Sequence, residues 1–259
     1  MIGSTSFFTP SGKVVIVIGG TGKVGAAIVS SLIKSGAIVV SVSRIASTNV
    51  GDVNFSKISE QLHQVFCDVT TESGIESIKA FLVANNLVPN VLVNALSYRP
   101  KDRYLSQSLE KWDDVVLRNS RATYMLYKTF GGIMKANGGG SVINVSTIYA
   151  VAAPDPALYD GLDMGTEADY PFIKAGGLAL TRYFASYYGG GQVRFNSIIL
   201  GGVFDDQDPE FVNRYIAKVP LARMATSYDI CGIIHLLASD ASAYITGAAI
   251  PVDGGYSSR

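Results

Sequence analysis

Ile16-Val17-Ile18-Gly19-Gly20-Thr21-Gly22-Lys23-Val24-Gly25 is the stretch on which the fold turns. A β-branched run gives way to Gly19, Gly22 and Gly25 in a GxxGxxG spacing, and a helical pattern then runs from Gly25 to Ser35. Glycine lets a backbone turn sharply and approach a bound group closely, and a helix that starts there presents unpaired N–H groups and the positive end of its dipole. The loop predicts an anion site. In a doubly wound sheet it sits where dinucleotides bind, although a glycine loop by itself also fits an ordinary tight turn of another α/β fold.

Outward from this loop, short β-branched runs alternate with longer helical stretches. Strands are predicted at Val14 to Ile18, Ile38 to Val42, Val65 to Cys67, Val91 to Asn94, Ser141 to Val145, Val193 to Ile199 and Ala248 to Val252. Helices are predicted near Gly74 to Asn85, Leu109 to Ala136, Tyr170 to Tyr188 and Ser227 to Ala238, with Gly138 to Gly140 as a loop and a turn-rich segment from Ala152 to Asp169. Such alternation implies parallel strands with right-handed crossovers. The expected architecture is α/β, a Rossmann-type doubly wound parallel sheet in a single domain over residues 1–259, since no Pro/Gly/Ser-rich linker divides the chain.

Composition agrees with a sheet covered on both faces, with 48% hydrophobic and 16% charged residues. The 21 basic and 21 acidic residues cancel, which argues against a nucleic-acid partner. Cys67 and Cys231 have no CxxC or metal-ligand spacing and are expected as buried free thiols. His63 and His235 stand alone, so no metal is expected. No apolar run reaches the ~18 residues of a membrane span, and residues 1–12 do not resemble a signal peptide; the expectation is a cytoplasmic protein without a membrane partner.

At the end of the second strand, where an NAD site carries an acidic residue for the ribose 2′-hydroxyl, stands Ser43-Arg44. Arg44 can hold a 2′-phosphate through charge-assisted hydrogen bonds, with Lys23 as a second positive charge, so NADP(H) is favoured over NAD(H). The other reading of Arg44 is a solvated surface arginine. Asp68, in Cys67-Asp68-Val69, is placed either to accept from an adenine amino group or to cap a turn.

Tyr170-Pro171-Phe172-Ile173-Lys174 sets a phenol and an amine four residues apart, on one face of a helix. An ammonium beside a phenol makes it a better proton-transfer group. Upstream, Ser141-Val142-Ile143-Asn144-Val145-Ser146-Thr147 is a strand ending in two hydroxyls, at the end where open α/β sheets bind ligands. A hydroxyl there can polarise a substrate carbonyl.

Five blocks in this order resemble the short-chain dehydrogenase/reductase family of the compact, about 250-residue kind. They are the glycine loop, Asp68-Val69, Leu92-Val93-Asn94-Ala95, the hydroxyl strand before Tyr170 and Lys174, and Tyr244-Ile245-Thr246-Gly247 followed by Val252-Asp253-Gly254-Gly255. The resemblance implies a catalytic tetrad of Asn119, Thr147, Tyr170 and Lys174, with Ser146 as the neighbouring hydroxyl that keeps the assignment of the third member open. It also implies cofactor contacts from Gly19, Thr21, Gly22, Lys23, Val24, Arg44, Asp68, Val69, Asn94, Tyr170, Lys174, Gly201 and Val203. Three blocks depart from the family pattern. Lys23 stands where TGxxxGxG has glycine, NNAG becomes Asn94-Ala95-Leu96-Ser97, and after Leu200-Gly201 the threonine that often contacts the carboxamide is Asp205.

The resemblance further implies carbonyl–alcohol interconversion on a small molecule and a homodimer or homotetramer pairing through the helices near Leu109 to Ala136 and Tyr170 to Tyr188. The segment from Thr147 to Tyr170 is longer than is common in the family and carries Tyr149, Asp155, Tyr159, Asp160, Asp163 and Glu167. With Gly201 to Asp206 it resembles dehydrogenases of flagellin modification and nonulosonic-acid pathways, and implies a polar, sugar-derived substrate bordered by that segment. The competing expectation is a catalytically silent dinucleotide-binding sensor or scaffold on the same fold.

Overall fold

The computed structural model describes residues 5–46, 49–50, 53–54, 61–98 and 108–258. Its centre is β1 (Val14–Ile18), five consecutive β-branched residues that are all buried. A strand buried on both faces reads as a continuous apolar run, and β1 has helices over both. It pairs in parallel with β2 (Ile38–Ser43) on one side and β6 (Val91–Asn94) on the other. Outside these lie β5 (Leu62–Phe66) at one edge and β7 (Gly140–Thr147), β8 (Val193–Leu200) and β9 (Ala249–Val252) towards the other. The order β5-β2-β1-β6-β7-β8-β9 is parallel throughout. Chain direction across the sheet therefore reverses at β1, and the crevice beyond the carboxyl ends of β1 and β6 is the switch point where such sheets bind ligands.

Helices α1 (Lys23–Lys34) and α6 (Cys231–Ala238) cover one face, through Ile28, Leu32, Ile234 and Leu237 on Val15, Val17, Val93 and Ile143. On the other face lie α2 (Glu72–Ala84), α3 (Leu109–Ala136) and α4 (Asp169–Tyr188). Side-chain caps start two of these: Thr71 accepts from the Gly74 amide and Ser108 from the Lys111 amide. Here the aliphatic core is joined by a group of packed aromatic rings. Phe195 has no exposure and packs against Tyr127, Phe184 and Tyr188, with ring centroids 5.6–5.8 Å away.

A third, smaller core joins the segment after β7 to α5 (Pro209–Ile216) through Ile148, Leu158, Phe211, Tyr215 and Met224. The sequence pattern missed α5, although Asp208 caps it by accepting from the Glu210 amide and Pro209 fills its first turn. Other boundaries moved. β5 begins at Leu62 because its partly exposed edge carries His63 and Gln64, and Gly140 belongs to β7 rather than to a loop. α6 starts only at Cys231, after the turn through Thr226 to Ile230. The residues before β5 also hold a two-residue hairpin, β3 (Asn49–Val50) with β4 (Val53–Asn54).

Cys231 is buried as expected, whereas Cys67 is only half-buried, just past the end of the β5 edge strand. Burial and the neighbouring Asp68 charge push the Cys67 thiol up to about 11. Among the described residues no helix is long and apolar enough to cross a membrane, and no three His, Cys, Asp or Glu side chains cluster to hold a metal.

Replacing Phe195 with alanine removes the ring on which Phe184 and Tyr188 stack and which Tyr127 meets edge-on. The expected cost is about 3–5 kcal/mol, read as a lower urea midpoint; an unchanged midpoint would contradict this account of the core.

Candidate active site

The turn after β1 is fixed by two amides, Gly19 N and Gly20 N, that both donate to Val42 O at 2.8 and 3.2 Å. Gly19 has φ +75°, a conformation that disfavours side chains, and a Cβ on Gly25 would lie 2.0 Å from Gly19 O. Helix α1 is thereby drawn against the turn. Gly22 caps it without a side-chain hydrogen bond, which leaves the first N–H groups of α1 available to an anion.

Two adjoining cavities open along this turn and share Gly19, Gly22, Ala95 and Ser97. The smaller, about 260 Å³, is lined by Thr21, Arg44, Asp68, Val69 and Tyr98. The Arg44 guanidinium lies 5.1 Å from the Tyr98 ring centroid and that of Arg118 5.2 Å. The Tyr98 hydroxyl donates to Asp114, which together with burial raises its pKa. Burial opposes ionisation of Asp68, but bonds from the Thr70 hydroxyl and amide, with Arg44 and Arg118 nearby, hold it below the usual carboxylate range. Asp68 thus has the turn-capping contact anticipated as one of its two readings.

The larger cavity, about 540 Å³, brings together Gly22, Lys23, Val24, Ser146, Thr147, Tyr170, Lys174, Gly201 and Val203 from four separate parts of the chain. The Lys174 ammonium donates to Leu96 O at 3.0 Å and Val145 O at 3.1 Å, and lies 6.0 Å from the Tyr170 ring centroid. Ser146 donates to Lys174 O at 3.3 Å. Thr147 accepts from the Tyr149 amide at 3.4 Å, an arrangement that leaves the proton of its hydroxyl for another acceptor.

Asn94 and Asn119 line neither cavity. Asn94 is buried beneath the turn, accepting from Leu96 N at 3.2 Å and donating to Thr123 at 3.4 Å. Asn119 accepts from Tyr98 N at 3.1 Å and donates to Tyr98 O at 2.8 Å, so that α3 holds the strand-end segment through 95–98. Lys23 lines the larger cavity, away from Arg44, and pairs with Asp205 at 2.6 Å.

From the segment between β7 and α4, Tyr149, Tyr159 and Thr166 line the larger cavity, while Asp155, Asp160, Asp163 and Glu167 do not. Tyr149, Tyr159 and Thr166 form a hydroxyl chain with 2.8 Å links. Phe211, Tyr215, Met164 and Met224 complete the wall and were not anticipated; the four-residue spacing of Phe211 and Tyr215 after Asp208-Pro209 was the available signal. Tyr215 accepts from the Gly202 amide. Burial pushes its phenol up to about 12 and raises that of Tyr149, where the bond to Tyr159 adds to the effect, so both remain protonated at neutral pH.

These residues suit an extended dinucleotide, with a glycine-tight turn and open helix amides midway, a cationic pocket at one end and the phenol–ammonium pair at the other. Asn119→Ala would leave both Tyr98 backbone groups without their partner. It should cost about 1–3 kcal/mol and speed hydrogen exchange at the Tyr98 amide; protection equal to wild type would refute the clamp.

Comparison with known proteins agrees with this architecture. A family model described as enoyl-(acyl carrier protein) reductase matches residues 21–257. A 3-oxoacyl-(acyl-carrier-protein) reductase of Pseudomonas aeruginosa is 26% identical over 94% of this chain and 97% of its own length. D-threitol dehydrogenase of Mycolicibacterium smegmatis is 27% identical (96% and 94%), and post-translational flagellin modification protein A of Campylobacter coli 25% (94% and 98%). Among solved structures, a short-chain dehydrogenase from Leptospira borgpetersenii with bound NAD+ superposes with TM-score 0.87 at 28% identity, covering 99% of this chain and 97% of the other. A Beutenbergia cavernae protein assigned as an NAD(P)-dependent gluconate 5-dehydrogenase, with NADP at low occupancy, gives 0.83 at 27% identity (98% and 100%).

Proposed function

This chain belongs to the short-chain dehydrogenase/reductase family, and on that premise we propose that it interconverts a carbonyl and an alcohol on a small, polar, sugar-derived substrate. The observation that carries this reading is the meeting of Tyr170, Lys174 and Thr147 in one cavity with the glycine turn. A bound nicotinamide dinucleotide supplies or accepts the hydride.

In the reducing direction the Tyr170 hydroxyl gives its proton to the carbonyl oxygen, and Thr147 donates a hydrogen bond to the same oxygen. Lys174, anchored by two carbonyls, holds its ammonium beside the phenol. In oxidation Tyr170 takes the proton back. Asn119 acts through the 95–98 segment, which it fixes and from which Leu96 O receives Lys174. Asn94 steadies the same segment from below.

The turn from Gly19 to Val24 is assigned to the pyrophosphate, Asp68 and Val69 to the adenine side, and Gly201 and Val203 to the nicotinamide side. NADP(H) is the favoured form. Arg44 stands at the end of β2 with no carboxylate in ion-pair range among the described residues, and a 2′-phosphate would be its charge-assisted partner. For the substrate, the hydroxyls of Tyr149, Tyr159, Thr166 and Tyr215 suit a polyhydroxylated molecule, and the D-threitol dehydrogenase among the relatives points the same way. Homo-oligomerisation through α3 and α4 is supported by exposed Leu117, Tyr124, Tyr183 and Tyr187 on those helices.

Two experiments test these roles. Oxidation of the reduced dinucleotide with carbonyl-bearing sugars, and reduction of the oxidised dinucleotide with polyols, should fall by about 10²–10⁴-fold in Tyr170→Phe, with dinucleotide binding retained. Thr147→Val should lose about 10²-fold and Ser146→Ala far less. The reverse order would move the hydroxyl role to Ser146, and binding without turnover by the unaltered chain would favour a silent dinucleotide-binding protein. Arg44→Asp should weaken NADPH binding by about 10–100-fold while sparing NADH; an unchanged preference would remove Arg44 from the site.

A further inference from the structure

Two of the chain's departures from the family pattern meet each other in space. Lys23 stands where the turn would carry glycine, and Asp205 where the loop after β8 would carry threonine. They are 182 residues apart, and their side chains join at 2.6 Å at the rim of the larger cavity. We infer that Lys23 and Asp205 form an ionic latch across the dinucleotide groove, tying the turn that holds the pyrophosphate to the loop beside the nicotinamide and slowing cofactor release. The inference rests on the dinucleotide reading above.

Both ends of the latch are anchored. Lys23 opens α1 directly after Gly22, so its backbone moves only with the turn. On the other side, Val203 bridges Ala225, Phe204 N donates to Ala225 O at 2.8 Å, and Gln207 receives Asp205 N at 2.7 Å while donating to Val203 O at 2.8 Å. Asp206 then adopts φ +53°, which turns the chain sharply after Asp205.

An ammonium has three N–H donors. Lys23 can therefore keep Asp205 on one and give the others to phosphate oxygens at the start of α1, so that one side chain grips both the loop and the ligand. The two side chains retain 40% and 68% of their exposure, a setting in which an ion pair is weak and screened by salt. A weak latch suits a groove that must open in every catalytic cycle.

The test is the rate at which reduced dinucleotide, followed by its fluorescence, leaves the full-length protein. Asp205→Asn should speed release about threefold to fivefold, the upper value corresponding to about 1 kcal/mol at 1.4 kcal/mol per tenfold. In a Lys23→Met background the same substitution should have no further effect. Raising ionic strength should erase the difference between Asp205→Asn and the unaltered chain. Both side chains are exposed, and unchanged thermal midpoints would show that the variants keep the fold. Equal release rates for Asp205→Asn and the unaltered chain, or an Asp205→Asn effect that persists without Lys23, would overturn the latch while leaving the dinucleotide reading intact. No dinucleotide binding by the unaltered chain would overturn both.

Discussion

The close approach of α1 to the end of β1 is the constraint on which the rest depends. A Cβ on Gly25 would lie 2.0 Å from Gly19 O, a separation no packed pair of heavy atoms tolerates. Because only a hydrogen fits, the helix starts directly over the strand end and its open amides point into the crevice. Every other part of the groove takes its place from that crevice. β6 supplies the 95–98 segment beside the turn, Lys174 fastens to that segment, and β7 delivers Ser146 and Thr147 one strand farther out.

Much of this architecture was legible because its signals are local. α3 could be placed near Leu109 to Ala136 by its periodicity, and β1 by its unbroken β-branched run. Tyr170 and Lys174 lie on one helix, where four-residue spacing dictates a common face. α5 went unread because its eight residues span about two turns, too few for a clear period, although Asp208 caps it. The β5 edge blurred for a related reason: half-buried residues alternate less clearly than those inside a sheet.

Pairings across the chain were not legible. Nothing near Asn119 indicates that its amide closes on the backbone of Tyr98, 21 residues earlier, and nothing near Lys23 points to Asp205. Composition gives the residue types of a site, while the fold decides which of them meet. The two hydroxyls ending β7 illustrate this well. They are equivalent in sequence, but the protein gives one a backbone carbonyl as acceptor and the other a backbone amide as donor.

The wall of the larger cavity formed by Tyr149, Tyr159, Phe211 and Tyr215 belongs to the small third core, apart from the two that clothe the sheet. Stability in proteins is partitioned among such units, and a unit with few buried side chains opens at lower free energy than the whole. That wall rests on fewer buried side chains than β1 and α1 do, so its local opening is expected to cost less free energy than theirs. Substitutions in that wall would then reshape the cavity at little cost to β1 and α1, which pack in the two larger cores.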